Sequence, residues 1–196
     1  MNKWHKSIYD NINLLEGKIN TQNNYEYYEN SYTQMITGLE EFSEDEKVEW
    51  KSLDNKNITM KGRIIGGCLD VLLSLIGTKY DKTKEFIEKY KEDGIIWYFD
   101  NCELSIEGII RAMWQFKNAG YFKHTKGIIF GRSMNEYSNY DITLKEALIH
   151  SFKDLNIPII YDVDIGHKHP IVTIINGSIA TISLINSKGS IKQELL

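Results

Sequence analysis

The sequence predicts an α/β fold with a mixed, largely parallel sheet that is flanked by helices and ends in an antiparallel hairpin. From residue 61 onward, short apolar runs alternate with amphipathic helical patterns, as in βαβ units. Ile95–Phe99 is apolar throughout, which is typical of a parallel strand buried on both faces. The last observation is the Asn176-Gly177 pair between two β-rich segments, a hairpin signal.

Two segments of different character divide the chain near residue 60. Residues 1–59 are predicted to be an arm or linker, and residues 60–196 the α/β domain. Trp4, Ile8, Ile12 and Leu15 fall on one helical face, so residues 3–16 are expected to form a short helix ended by Gly17. Residues 18–60 show little hydrophobic periodicity and carry an acidic run at 40–49. One interpretation is therefore that they form a partly ordered arm. The segment's many aromatic side chains favour packing against another part of the protein: Tyr25, Tyr27, Tyr28, Tyr32, Phe42 and Trp50.

The second segment contains the regular elements. Predicted strands cover residues 62–65, 95–99, 126–130, 158–162, 170–175, 178–184 and 190–195. Predicted helices cover residues 69–76, 83–91, 106–119 and 144–156. Thr83 and Ser105 are expected to be N-caps, and Thr143 with Glu146 matches a capping box.

Composition excludes several classes of protein. The 196 residues carry a net charge of −4, so the basic footprint of a nucleic-acid-binding protein is missing. No apolar run approaches the roughly 20 residues that span a bilayer, and the charged first 17 residues do not resemble a signal peptide. The two cysteines, Cys68 and Cys102, are expected to be reduced, buried and inert. A cytoplasmic protein with no membrane or nucleic-acid partner is therefore predicted.

Polar groups directly follow three of the apolar strands, where functional groups of α/β proteins collect. Asp100 and Glu103 follow one strand, Arg132 another, and His167 a third. Either carboxylate could hold the His167 imidazole in one tautomer and stabilise the imidazolium that forms when it abstracts a proton. The alternative is that Asp100 only caps a turn and that His167 is an ordinary loop residue.

Other groups allow further interpretations. Asp162, Asp164, His167 and His169 could together bind a metal ion, since all four lie within eight residues. Gly66-Gly67 could let the backbone approach a ligand, or could form a tight strand-to-helix turn. Arg132 could bind a substrate carboxylate or a structural one.

Several of these segments, in order, resemble the carboxy-terminal domain of the LD-carboxypeptidase family, which includes the microcin C immunity peptidases. The resemblance spans roughly residues 60–185, and residues 1–59 resemble more faintly the segment that joins the family's two domains. The segments that carry it are Gly62–Asp70, Gly77–Tyr80, Ile95–Asn101, Lys117–Phe122, Lys126–Arg132, Pro158–His167 and Pro170.

The resemblance implies a fold and a chemistry. Family members are cytoplasmic serine peptidases of two domains, usually homodimers, that use no metal or cofactor. They remove a carboxy-terminal residue across an L–D bond of murein peptides, or cleave peptidyl-nucleotide antibiotics. Their serine and oxyanion hole belong to the amino-terminal domain, whereas the glutamate and histidine of the triad belong to the carboxy-terminal one. The family histidine corresponds to His167, and the glutamate to Asp100.

Two departures from the family pattern define what to expect. No strand, elbow and helix with a nucleophilic serine precede residue 60, and aspartate at position 100 is one methylene shorter than glutamate. The carboxylate is thus expected roughly 1.5 Å short of the family position, and a misplacement of about 1 Å can cost a hundredfold in rate. We expect a detached carboxy-terminal half of such a peptidase that is inactive alone. It could be a truncated gene product, the partner of a separate amino-terminal half, or a piece of a longer protein. The alternative is a non-catalytic remnant that binds a peptide, a nucleotide conjugate or a subunit.

Overall fold

The computed structural model describes residues 4–31, 37, 40–41 and 43–194. The helices are α1 (Lys6–Leu15), α2 (Leu69–Leu75), α3 (Thr83–Lys89), α4 (Ile106–Asn118) and α5 (Leu144–Phe152). The strands are β1 (Thr21–Asn23), β2 (Tyr27–Tyr28), β3 (Glu46–Lys47), β4 (Lys51–Ser52), β5 (Ile58–Cys68), β6 (Ile95–Asp100), β7 (Thr125–Gly131), β8 (Ile159–Val163), β9 (Ile179–Ile185) and β10 (Lys188–Glu194).

The predicted mixed sheet is confirmed. Eight strands pair in the order β1-β10-β9-β5-β6-β7-β8-β4, and β2 and β3 form a separate antiparallel pair. The four central strands, β5 to β8, are parallel. The strands on both flanks pair antiparallel. The carboxyl ends of the four parallel strands therefore meet at one edge of the sheet, where the polar residues were expected.

Each face of the sheet has its own apolar core. On one face, helices α4 and α5 cover a cluster that includes Trp97, Phe99 and Phe116. The opposite face buries Ile96 among side chains of β5, β8 and β9. Because Ile96 and Trp97 point to different cores, β6 is buried on both faces, as its continuous apolar run predicted.

The carboxy-terminal hairpin forms, but not at the predicted turn. Its strands β9 and β10 are joined by Asn186-Ser187, which have φ of 51° and 63°. Positive φ at both central residues is the hairpin geometry that matches strand twist. The predicted strand 170–175 is wrong, as is the hairpin at Asn176-Gly177, since this stretch forms no strand in the structure.

Side chains distant in the sequence explain why residues 170–175 remain irregular. The Thr173 N–H donates to Gln22 Oε1, and the Ile175 N–H donates to Gln193 Oε1. Gln193 Nε2 in turn donates to the Thr173 carbonyl. Two buried amide side chains thus satisfy the backbone groups that a neighbouring strand would otherwise pair with.

Helix boundaries agree with most of the predicted caps. The Ser105 side chain accepts from the Gly108 N–H, and Thr143 and Glu146 form the predicted capping box. The Thr83 cap was wrong: Thr83 is the first helical residue, Lys82 is the N-cap, and Asp81 Oδ1 accepts the Thr83 N–H. Within the described residues, no helix combines the length and the apolar character needed to span a bilayer.

Residues from the first segment pack into the sheet. Strand β1 pairs with β10 at one edge, and β4 pairs with β8 at the other. Trp50 and Tyr25 are buried in the second core, in keeping with the expected packing of this aromatic segment; Tyr32 and Phe42 lie outside the described residues. Strand β5 begins at Ile58, ahead of the division at residue 60, which itself stays a prediction.

The apolar face of α1 is not buried as its pattern suggested. Trp4, Ile8, Ile12 and Leu15 are exposed, whereas Ser7 and Leu14 are the helix residues that the protein buries. The helix itself forms as predicted, and the His5 side chain accepts the Ser7 N–H at its start. Its apolar stripe remains available on the surface of the chain.

Candidate active site

Asp100 and His167 converge at the carboxyl edge of the parallel strands. Asp100 is the last residue of β6, and His167 lies in the loop that follows β8. The Nδ1 atom of His167 is 2.8 Å from Oδ2 of Asp100. Among the residues that the structure describes, this is the one ion pair of the His167 ring, and it is the pairing that the sequence suggested.

The two partners sit in contrasting environments. Asp100 is 6% exposed, whereas the His167 side chain is 45% exposed. Burial raises the pKa of Asp100 above its ordinary value, and the His167 imidazole opposes that shift. The imidazole N–H is within reach of Oδ2 but not aligned with it, so Oδ2 is buried without a hydrogen-bond partner in this conformation.

Gly166 explains how a short aspartate reaches the imidazole. Gly166 has φ of 104°, and a Cβ built on it would lie 2.8 Å from the Asp100 Cβ. The loop backbone therefore rests directly against Asp100, which brings His167 to the carboxylate. Asp100 and His167 therefore come within 2.8 Å of each other although aspartate is one methylene shorter than glutamate.

We expect Gly166→Ala to destabilise the protein and to separate Asp100 from His167. The left-handed φ alone costs a residue with a Cβ about 1–2 kcal/mol, and the overlap with Asp100 adds to this. Gly177→Ala is the matched control, since Gly177 has φ of 88° but open space around its Cβ position. Urea unfolding measures both variants, and equal losses of stability would contradict the close approach at Gly166.

Asp70 anchors the turn that follows Asp100. Its Oδ2 accepts from the N–H groups of Cys102 and Glu103 and from the Cys68 thiol. Burial opposes ionisation of Asp70, but these donors outweigh burial and lower its pKa. Asp70 thus fixes the β6 turn to the start of α2, a role that sequence reasoning missed.

Cys68 belongs to this cluster and was also missed as a neighbour of Asp100. It ends β5 directly opposite Asp100 in the parallel register. Burial is the main cause that raises the pKa of its thiol to about 11, so the thiol stays protonated at neutral pH. Both cysteines are reduced, as expected, although each is only partly buried. The predicted strand ended at Ile65, whereas β5 continues to Cys68. The pairing of Cys68 with Asp100 was therefore not predicted.

Two alternatives from the sequence are corrected by the geometry. Glu103 is exposed, and within the described part of the chain its carboxylate makes no ion pair with His167. Asp162, Asp164, His167 and His169 do not gather into a metal site. Asp162 pairs with Lys51, and Asp164 pairs with Arg132, so the two aspartates are committed to different cations.

Arg132 and the Gly66-Gly67 pair lie close to the strand ends. Arg132 is 3% exposed, and its guanidinium binds Asp164 and the carbonyls of Lys168 and Pro170. These contacts correspond to the alternative in which Arg132 binds a carboxylate of the protein itself. Gly66 donates its N–H to Asn176 Oδ1, and a Cβ there would lie 1.8 Å from the Tyr98 carbonyl oxygen. Binding of substrate by Gly66, Gly67 or Arg132 stays a prediction.

The fold and this site define an α/β domain that presents a carboxylate–imidazole pair at the carboxyl edge of a parallel sheet. The family model described as "LD-carboxypeptidase C-terminal domain" matches residues 61–182. The chain therefore belongs to the LD-carboxypeptidase family, and the matched part is its carboxy-terminal domain.

Curated relatives agree with this assignment. The protein named "Putative carboxypeptidase YocD" of Bacillus subtilis is 31% identical over 132 residues, which cover 67% of this chain and 38% of that protein. "Putative carboxypeptidase VC_A0337" of Vibrio cholerae is 28% identical over 139 residues, covering 70% of this chain and 39% of that protein. The chain thus spans less than half the length of the curated relatives it matches.

Solved structures share the fold. An MccF-like protein from Streptococcus pneumoniae, in complex with AMP, superposes with a TM-score of 0.70 at 21% identity, covering 96% of this chain and 57% of that one. The muramoyltetrapeptide carboxypeptidase from Oxalobacter formigenes gives a TM-score of 0.60 at 22% identity, covering 76% and 49%. The microcin C7 self-immunity protein MccF gives 0.71 at 17% identity, covering 99% and 58%.

Proposed function

We propose that this chain supplies the general base and its orienting acid to a serine-type carboxypeptidase site. His167 is the base and Asp100 the acid, and the reaction is hydrolysis of a carboxy-terminal L,D-peptide bond in a murein peptide, or of a peptidyl-nucleotide. The observation that carries the proposal is the 2.8 Å contact between His167 Nδ1 and Asp100 Oδ2 in a chain of this family. The proposed site works without a cofactor and in the cytoplasm.

The geometry supports a separate task for each ring nitrogen. Since Nδ1 contacts the buried Asp100, Nε2 is the nitrogen left to accept a proton from a nucleophile. Asp100 would keep the proton on Nδ1 and stabilise the imidazolium that forms during attack. The exposed His167 side chain leaves room for a hydroxyl that approaches from another domain.

The nucleophile is the part of the triad that the described residues do not bring to His167. No serine hydroxyl within residues 4–31, 37, 40–41 and 43–194 makes a hydrogen bond with that ring. A base without a hydroxyl to activate and without an oxyanion hole would not catalyse acyl transfer. We therefore propose that the serine and the oxyanion hole come from an amino-terminal domain, on this polypeptide or on a companion chain.

Reconstitution with a serine-bearing domain tests the proposal. The chain is mixed or fused with the amino-terminal domain of a family relative, and release of D-alanine from a murein tetrapeptide is measured. Aspartyl sulfamoyl adenosine serves as the peptidyl-nucleotide probe, because MccF has been solved with that compound bound. We expect cleavage of one of the two substrates only when both halves are present. Absence of cleavage in a complex whose assembly is verified by sedimentation would contradict the proposal.

A non-catalytic binding role is the second candidate. A polar cleft of about 570 Å³ contains Tyr28 and four cationic side chains in its lining, which are Lys47, Lys51, Arg132 and Lys168. Four carboxylates line it as well, namely Glu46, Glu49, Glu136 and Asp162, so the cleft has no cationic excess. The support for a nucleotide conjugate is therefore the aromatic ring, together with a related MccF-like protein that was solved with AMP. Calorimetric titration of the chain alone with AMP tests this role, and binding without any hydrolysis after reconstitution would favour it.

We also infer that the chain forms a homo-oligomer. The exposed apolar face of α1, which includes Ile8 and Leu15, is the surface that supports this. Burial of the face between two copies would remove these side chains from water. Sedimentation of the purified chain measures its mass, and a strict monomer at high micromolar concentration would contradict the inference.

A further inference from the structure

Three side chains with different ligand chemistry meet where the strands end. Cys68 comes from the end of β5, Asp100 from the end of β6, and His167 from the loop after β8. One ligand atom of each lies within 4.8 Å of the other two. Within the described part of the chain, this is the one group of three or more such residues that could hold a metal ion.

The ligand set and its spacing suit zinc. A thiolate sulfur, an imidazole nitrogen and a carboxylate oxygen are the three protein ligand types of zinc sites. Bonds of about 2.0–2.3 Å place tetrahedral ligand atoms about 3.3–3.6 Å apart. The ligand atoms of His167 and Asp100 are 2.8 Å apart, and all three ligand atoms lie within 4.8 Å of one another. The tetrahedral spacing falls between these two distances, so small side-chain rotations would bring the three atoms into position around one zinc ion.

A second observation, the burial of Asp100, favours a bound cation. Asp100 is more than nine-tenths buried, and its Oδ2 faces the cluster, where the His167 imidazole lies 2.8 Å away without forming an aligned hydrogen bond. In the part of the chain that the structure describes, neither Asp70 nor Asp100 forms an ion pair with a lysine or arginine. A buried carboxylate that has no lysine or arginine partner is stabilised by a bound cation.

We propose that Cys68, Asp100 and His167 form a binding site for one zinc ion, whose fourth position is open to solvent beside the exposed His167. On binding, a zinc–sulfur bond replaces the Cys68 S–H bond, and the proton passes to water. Asp70 loses the thiol donor but keeps the N–H groups of Cys102 and Glu103. Zinc binding at these residues does not require that the chain takes part in hydrolysis.

Zinc at this site would also inhibit the proposed peptidase reaction, a consequence that rests on the proposed function. A His167 ring held by Asp100 and zinc cannot take up the position and the protonation state that a general base requires. Occupancy of the metal site and proton abstraction by His167 would therefore exclude each other.

Direct measurement of metal binding tests the site without any need for activity. The reduced chain is titrated with Zn²⁺ by calorimetry, and with Co²⁺ while sulfur-to-cobalt charge-transfer absorption is recorded. We expect one ion per chain and a cobalt spectrum that reports a thiolate ligand. Cys68→Ser and His167→Gln should each weaken zinc binding by roughly a hundredfold, at the upper end of what even outer-shell changes cause.

Matched controls identify the ligands. Cys102→Ser removes the other cysteine, and His169→Gln removes the other histidine of the loop; both should retain the affinity of the unaltered chain. Circular dichroism verifies that each variant is folded. Absence of stoichiometric binding, unchanged affinity in folded Cys68→Ser, or loss of the cobalt–thiolate absorption in Cys102→Ser would each overturn the proposal.

In the reconstituted peptidase, micromolar Zn²⁺ should inhibit cleavage, and Cys68→Ser should shift the inhibition to higher zinc concentration. Zinc binding without inhibition would leave the metal site intact and contradict the assignment of His167 as the base. Inhibition that is unaffected by Cys68→Ser would contradict the metal site.

Discussion

Replacing Arg132 by methionine is expected to destabilise the protein by about 3–5 kcal/mol at neutral pH. The guanidinium is buried, pairs with the fully buried Asp164, and stacks 4.5 Å from the Tyr28 ring centroid. Methionine fills much of the same volume but leaves the Asp164 carboxylate without its counter-charge. Urea unfolding followed by circular dichroism measures the loss.

The pH dependence of this variant provides a sharper test. Burial raises the pKa of Asp164, and the Arg132 guanidinium and the Trp50 indole N–H oppose the shift. Without Arg132, the pKa of Asp164 in the folded state rises further above its value in the unfolded chain. A carboxyl whose pKa is higher in the folded state than in the unfolded chain destabilises the folded state when the pH is high enough for it to be charged. Acidification protonates the carboxyl and removes this destabilisation. The deficit of Arg132→Met should therefore be largest at neutral pH and shrink on acidification.

Lys51→Met is the matched control, because Lys51 is the cation partner of Asp162, the other aspartate of this segment. In that pair 49% of the lysine side chain and 23% of the aspartate side chain are accessible, so it is far less buried than Arg132–Asp164, and pairs at the surface contribute about 0–1 kcal/mol. Similar losses of stability in the two variants, or a deficit in Arg132→Met that grows on acidification, would contradict the buried-pair account.

In the reconstituted peptidase, His167→Ala is expected to lower kcat by on the order of 10²–10⁴-fold. The imidazole is the proposed acceptor of the serine proton, and alanine removes it without adding bulk. Asp100→Asn should also lower kcat, because an amide cannot stabilise the imidazolium and can favour the wrong tautomer. Single-turnover cleavage of the murein tetrapeptide separates these effects from substrate binding.

His169→Ala is the control for the loop, since it removes an imidazole two residues away from the same stretch of chain. Its kcat should stay within a few fold of that of the unaltered protein. A kcat for His167→Ala equal to that of His169→Ala would show that His167 is not the base.

Local patterns in the sequence were sufficient to predict much of the central sheet. The run Ile95–Phe99 and the caps at Ser105 and Thr143 predicted β6, α4 and α5, because these signals depend on neighbouring residues. The meeting of Asp100 and His167 followed from the rule that parallel strands end at one edge.

The errors arose where distant residues determine the structure. Residues 170–175 resemble a strand, but Gln22, which is 151 positions from Thr173, satisfies part of their backbone. The role of Arg132 depends on Asp164, and that of Cys68 on the register between β5 and β6. No local pattern contains these pairings, since each joins segments that are separated along the chain.

The two short strands β1 and β4 have a consequence for how this protein can be divided. They cover the outer edges of β10 and β8, and both precede the region that the family model matches. A fragment cut at residue 60 would display two rows of open N–H and C=O groups, which recruit strands from neighbouring molecules. We expect such a fragment to aggregate edge to edge, and we therefore expect the smallest cooperative folding unit to extend beyond residues 61–182, which the family model matches.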